Sequence, residues 1–140
     1  ARLPSGELVL VRQYRRAAGE VLAEVPAGRI EPDEAPLDAA RRELEEETGY
    51  EARHWRRLAE FFPAPGFCTE RMHLFLAEGL RQVAGDRRPP DPDEELEVVL
   101  RTPEAVLASG CQDAKTLVAA LLCRSGAPEA PGDDGRPRRS

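Results

Sequence analysis

The stretch Gly28-Arg-Ile-Glu-Pro-Asp-Glu34-Ala-Pro-Leu-Asp-Ala-Ala-Arg-Arg42-Glu43-Leu44-Glu45-Glu46-Glu47-Thr48-Gly49-Tyr50 decides how the rest of the chain is read. Pro36 suits the first position of a helix, where a missing N–H costs nothing because the first turn leaves that donor unpaired anyway. Gly49 suits the stop, since a helix commonly ends on a left-handed residue that glycine adopts freely. The spacing therefore predicts a helix from Pro36 to about Thr48. Leu37, Ala40 and Leu44 fall at i, i+3 and i+7, a narrow apolar stripe that has to pack on something. Glu43, Glu46 and Glu47, at i, i+3 and i+4, share one face beside that stripe.

Local helix physics does not ask for that arrangement. Carboxylates at i, i+4 repel one another, and the C-terminal half of a helix disfavours negative charge. A Glu-rich face is ordinarily just solvated. The other reading is a hard divalent cation, because Mg²⁺ takes oxygen ligands from a few carboxylates and bridges to substrate phosphates. Arg42 precedes Glu43 directly and Glu46 by four residues, so it can hold a carboxylate in place.

Outward from the helix, the pattern gives a strand near 7–14 after the Pro4-Ser5-Gly6 turn, a polar loop to Glu20, and a short strand from Val21 to Pro26. Strands follow near 53–62 and 71–79, separated by the turn chemistry of Pro63-Ala-Pro-Gly66. A polar, proline-rich loop from Arg81 to Pro92 leads to a last strand at 96–100. Thr102-Pro103 reads as a cap and first turn of a helix to about Ser109, and 112–124 as a final helix with Leu117, Leu121 and Leu122 on its buried side. From Ser125 onward Gly, Pro, Asp and Arg dominate, so 1–124 is expected to be the domain and 125–140 a disordered tail. The chain opens on a turn almost inside its first strand, so a truncated N-terminus, lacking a preceding strand, is expected. Strands flanked by helices, with antiparallel-looking turns between neighbours, give an α+β class with a layered sandwich.

A chain of 140 residues fits one domain. Its hydrophobic fraction of 41% supplies a modest core, and no apolar run approaches a bilayer span of about 20 residues. The net charge of −6 argues against a duplex nucleic-acid binder. Small anionic substrates stay open, because a site can be locally basic or recruit a metal. Of 20 basic residues only Lys115 is lysine, and arginine is the better fork for phosphate. Cys68, Cys111 and Cys123 lie far apart without zinc spacing, which reads as free thiols in a reducing cytoplasm. His54 and His73 stand in strand-like stretches without partners at metal spacing and read as structural.

The segment 28–50 matches G-x5-E-x7-R-E-U-x-E-E-x-G-U, with U bulky or aliphatic, at every specified position. On this motif the chain resembles the Nudix hydrolases. The resemblance implies an α/β/α sandwich around a mixed β-sheet with a loop-helix-loop catalytic motif. It implies hydrolysis of a nucleoside diphosphate linked to another moiety, with Mg²⁺ or Mn²⁺. Carried over residue by residue, Glu43 and Glu47 would be metal ligands, Glu46 a ligand or the holder of an attacking water, and the Ala27 carbonyl a further ligand. Glu34 and Arg42 would support them.

The flanks narrow the resemblance. Gln13-Tyr14-Arg15, then Glu24-Val-Pro-Ala-Gly28 entering the motif, resemble the ADP-ribose pyrophosphatase branch. So do Pro65, 16 residues after Gly49, and the P-G-x-x-x-E loop from Pro65 to Glu70. This implies cleavage of ADP-ribose to AMP and ribose 5-phosphate, with Arg15, Glu24, Arg29 and Glu70 binding substrate and Phe67 stacking on a ring or closing the pocket. The general base is expected on the loop before the last strand, at Glu94 or else Glu95, with Glu46 the alternative within the motif. Members of the branch carry an N-terminal segment that makes a swapped homodimer, which this sequence lacks. Two other functions are consistent with the residues: hydrolysis of another NDP-sugar such as UDP-glucose or GDP-mannose, and a non-catalytic nucleotide-sensing module.

Overall fold

Strand β1 (Leu8–Arg15) begins with Leu8, Val9, Leu10 and Val11, each at most 2% exposed in the computed structural model, which describes residues 1–83 and 96–126. A strand buried on alternate residues has one packed face, whereas one buried on consecutive residues needs a layer on each side. β1 is accordingly the centre of a three-stranded sheet of order β2-β1-β5, antiparallel to β2 (Glu20–Glu24) and to β5 (Glu97–Arg101). The register runs from Val11↔Glu24 to Arg15↔Glu20 on one side and from Leu8↔Arg101 to Arg12↔Glu97 on the other.

Leu8 and Leu10 share a core with Val25, with Val106 of α2 (Pro103–Ala108), and with Ala119 and Ala120 of α3 (Ala114–Ser125). Helix α1 (Pro36–Thr48) packs against β1 and against a second sheet formed by β3 (Tyr50–Phe61) and β4 (Met72–Gln82). Val9 N–H donates to the Ala1 carbonyl and Arg2 N–H to the Ala77 carbonyl, both at 2.9 Å, so residues 1–2 join β1 to β4. The fold is α+β, with helices on the sheets. All strand ladders among the described residues are antiparallel, so the parallel pairing of a mixed sheet is not among them.

The helix ends follow their local chemistry. Pro36 occupies the first turn of α1, and Gly49 closes it at φ 71 with its N–H on the Glu45 carbonyl at 2.8 Å. Thr102 caps α2 through Ala105 N–H, and Asp113 caps α3 through Thr116 N–H. The expected buried side of the last helix is corrected. Thr116, Ala119 and Ala120 face inward while Leu121 is 46% exposed. Small residues on this face leave room for close packing in the core shared with Leu8, Leu10, Val25 and Val106. α3 extends to Ser125, and the remainder of the expected tail lies outside the described residues.

Thr116, fully buried, is the polar link between this helix and β2: its Oγ1 accepts from Val25 N–H at 2.8 Å and donates to Asp113 Oδ2 at 2.6 Å. Replacing it by valine strands a buried N–H and should cost about 1–3 kcal/mol. Urea unfolding of Thr116→Val against the parent measures this, with Thr116→Ser expected to lie between them.

Candidate active site

The Glu-rich face of α1 is organised by Arg42. Its Nη1 donates to Glu43 Oε1 at 2.7 Å and to Glu46 Oε2 at 3.0 Å, and its Nε and Nη2 fork Glu34 at 2.9 and 3.1 Å. Nη2 also donates to the Arg29 carbonyl at 2.9 Å. The loop between β2 and α1 is thereby tied to the helix. Hydrogen bonds from Arg42, and from the Glu31 backbone, hold the Glu34 carboxyl below its ordinary range. The same contacts, Glu34 first, keep the guanidinium charged beyond its usual range.

Glu47 is fixed separately. It is 7% exposed, and its Oε2 accepts from Ala27 N–H at 3.0 Å. Gly28 lies close under the Glu43 carboxylate: a Cβ there would stand 1.9 Å from Glu43 Oε1, so a larger residue would push that side chain aside. Arg42 thus gathers Glu43 and Glu46, and Ala27 N–H separately holds Glu47. The donor set is all oxygen, three carboxylates and a loop carbonyl, which fits a hard divalent cation. As the side chains stand, no three His, Cys, Asp or Glu groups among the described residues converge in metal-holding geometry. Arg42 stands among Glu34, Glu43 and Glu46, so cation entry requires the carboxylates to turn on their stems.

A cavity of about 630 Å³ adjoins this place, and its lining includes Gly28, Arg29, Glu43, Arg15, Lys115 and Glu70. Arg29 is exposed, and Glu70 is exposed on the loop between β3 and β4. Phe67, on the same loop, is 93% exposed and closes nothing as it stands. Glu24 is elsewhere than expected for a group that meets substrate: at 2% exposure its oxygens accept from Arg15 Nε at 2.7 Å, from Arg15 Nη2 at 2.8 Å, and from Lys115. Burial pushes the Glu24 carboxyl up, but hydrogen bonds from Arg15 and Lys115 outweigh it and leave it below the ordinary value. Sequence reading missed Lys115; the available signal was its standing as the single lysine of the chain.

His73 also lines the cavity, and burial, with Arg57 and Arg71 nearby, lowers its pKa, so it is neutral at pH 7. His54 is exposed on β3. Glu94 and Glu95 lie outside the described residues.

Residues 2–121 match the family model of the NUDIX domain. The chain belongs to the Nudix family. It is 41% identical over 118 residues to an ADP-ribose pyrophosphatase of Bacillus subtilis (strain 168), covering 81% of this chain and 63% of that protein. It is 38% identical over 120 residues to a methanol dehydrogenase activator of Bacillus methanolicus, covering 81% and 63%. A solved structure described as an ADP compounds hydrolase superposes with a TM-score of 0.77 at 26% identity, covering 86% of this chain and 66% of that one. The chain thus spans a little under two thirds of the length of these relatives. Nudix hydrolases generally need a divalent metal.

The Glu24 network sets a pH dependence. Its carboxyl titrates lower in the folded chain than its ordinary value of 4.5, so its stabilisation is complete above pH 4.5 and is lost as pH falls through the lower, folded value. Denaturant unfolding of the parent and of Glu24→Gln from pH 7 down to pH 3 tests this. The parent should lose more stability than the variant, and parallel curves would remove Glu24 from the acid response.

Proposed function

We propose that this domain hydrolyses ADP-ribose to AMP and ribose 5-phosphate, with Mg²⁺ as the metal and Mn²⁺ able to replace it. The observation that carries the reading is the grouping of Glu43 and Glu46 by Arg42, and of Glu47 by Ala27 N–H, beside a cavity of about 630 Å³. The names of the Bacillus subtilis relative and of the superposing hydrolase support the substrate. The intact Arg42-Glu43…Glu46-Glu47 set supports catalysis over sensing, because binding alone has no need of carboxylates held so close.

Glu43, Glu46, Glu47 and the Ala27 carbonyl would hold the cation, which offsets diphosphate charge and favours attack by water. The chain's own residues supply position and proton transfer. Arg42 sets the carboxylate orientations, and Ala27 N–H keeps Glu47 from rotating away. Arg15 and Arg29 orient the diphosphate as hydrogen-bond donors, and Glu70 accepts from the sugar. Water adds to one phosphorus, the bond from that phosphorus to the bridging oxygen breaks, and the water proton passes to Glu94, or to Glu46 as the acceptor within the helix. In the same reading the full-length protein is a homodimer where it carries the N-terminal segment of that branch. Its compartment is the cytoplasm, which the half-buried free thiols of Cys68, Cys111 and Cys123 support.

Product analysis with ADP-ribose, UDP-glucose and GDP-mannose, each with and without Mg²⁺, tests this reading. AMP from ADP-ribose only with metal is expected, and Glu47→Gln should lower kcat/KM by about 100-fold or more. Preference for another sugar nucleotide would move the substrate, and binding without turnover would replace the enzyme by a sensor. Arg42→Lys keeps the charge but loses the fork; about a 10- to 100-fold loss of activity at unchanged fold is expected. Near-parent rates in that variant would show that charge alone suffices.

A further inference from the structure

The ion pairs at the end of β2 give Glu24 a role beyond the family motif. Its two oxygens are taken by Arg15 and Lys115. Lys115 Nζ also donates to Asp113 Oδ1 at 2.9 Å, while Asp113 Oδ2 accepts from Thr116 N–H at 3.0 Å. One carboxylate therefore binds the end of β1 to the start of α3. Arg15, Asp113, Ala114 and Lys115 line the same cavity as Gly28 and Glu43.

A carboxylate 2% exposed and engaged on both oxygens is not placed to receive a sugar hydroxyl. Nor does packing alone account for it. Lys115 is nearly enclosed with Glu24, at 15% side-chain exposure, yet the Arg15 side chain is 41% exposed, against 2% for Glu24. Burying one ion to hold a second at a cavity wall carries a desolvation cost that the pairing has to offset. Arginine and lysine have long side chains that lose conformational freedom on meeting an anion, and fixing them beforehand removes that loss from binding.

We infer that Glu24 is a positioning residue that holds Arg15 and Lys115 as a paired clamp for the diphosphate of the nucleotide sugar. Lys115 is the substrate-contacting member not otherwise assigned. The inference rests on the hydrolase reading above. Arg15 spends Nε and Nη2 on Glu24, which fixes the plane of its guanidinium toward the cavity. Lys115 has three donors, of which Glu24 and Asp113 take two. The clamp grips an anion present in both substrate and transition state, so its loss raises KM and leaves kcat nearly unchanged.

The test is steady-state kinetics with ADP-ribose and Mg²⁺ on the parent, Lys115→Met, Lys115→Arg and Glu24→Gln, each accompanied by an unfolding curve. Lys115→Met is expected to raise KM about 10-fold with kcat within about twofold, and Lys115→Arg to restore most of the affinity. Glu24→Gln should raise KM similarly, and the double variant should add little, because the three side chains act as a unit. An unchanged KM in folded Lys115→Met, or a fall in kcat alone, overturns the clamp. So does lowered stability with parent-like KM. If Glu24→Gln does not fold, the two lysine variants decide. Should the parent cleave UDP-glucose or GDP-mannose instead, the substrate reading fails and the same KM comparison on that nucleotide decides the clamp. If it cleaves none, calorimetric Kd values for ADP-ribose in parent and Lys115→Met decide.

Discussion

A guanidinium set among carboxylates is what lets α1 carry Glu43, Glu46 and Glu47 on one face. Unaided, these charges repel at i, i+4 spacing and meet the unfavourable end of the helix dipole. Arg42 answers both effects from inside the cluster, giving Nη1 to Glu43 and Glu46 and its other nitrogens to Glu34 and the Arg29 carbonyl. At 18% side-chain exposure it works where water screens poorly. Its partners come from the helix and from the preceding loop, so one side chain sets the loop path and the carboxylate orientations together. Lysine carries the same charge as a single point and could not reach all of these acceptors in a fixed plane.

The loop has a second set of tethers where it leaves β2. Val25 N–H donates to Thr116 on α3, and Ala27 N–H donates to Glu47 on α1. Two backbone donors, two residues apart, thus bind helices that pack on different strands. The segment from Glu24 to Gly28 is held between these helices, and its carbonyls and amides are placed with the precision of both. Backbone held this way needs no regular secondary structure of its own. Gly28 then admits the Glu43 carboxylate to a space that any side chain would fill.

Features set by local chemistry were legible in the sequence. Pro36, Gly49, Thr102 and Pro103 mark helix ends that coincide with the structure, because caps depend on a few adjacent residues. The 28–50 spacing named the carboxylate helix, and the family match agrees with it. Features set by tertiary packing were not. β3 and β4 pair from Tyr50↔Gln82 to Phe61↔Met72, so the ladder runs past the strands expected at 53–62 and 71–79 to take in 50–52 and 80–82, because cross-strand pairing supports polar positions. The buried side of α3 is set by the core it enters, shared with Leu8, Leu10 and Val106, so the alanines lie inside it while Leu121 does not. Glu24 and Lys115 are 91 residues apart, and no periodicity relates them.

Charge placement makes an acidic chain compatible with the anionic substrate proposed for it. The net charge of −6 describes the whole surface, whereas the cavity wall carries Arg15, Arg29, Arg71 and Lys115. These cations share the cavity with Glu43, which would attract them. Three have carboxylates of their own: Glu24 takes Arg15 and Lys115, and Glu60 takes Arg71 at 2.9 Å. Glu24 and Glu60 are 2% and 13% exposed, so water competes weakly for these pairs. A cation already engaged at Glu24 or Glu60 gains little by moving to Glu43 or Glu47. The buried carboxylates therefore contribute by preventing a pairing. Such a contribution is visible only when every charge around the cavity is traced to its partner.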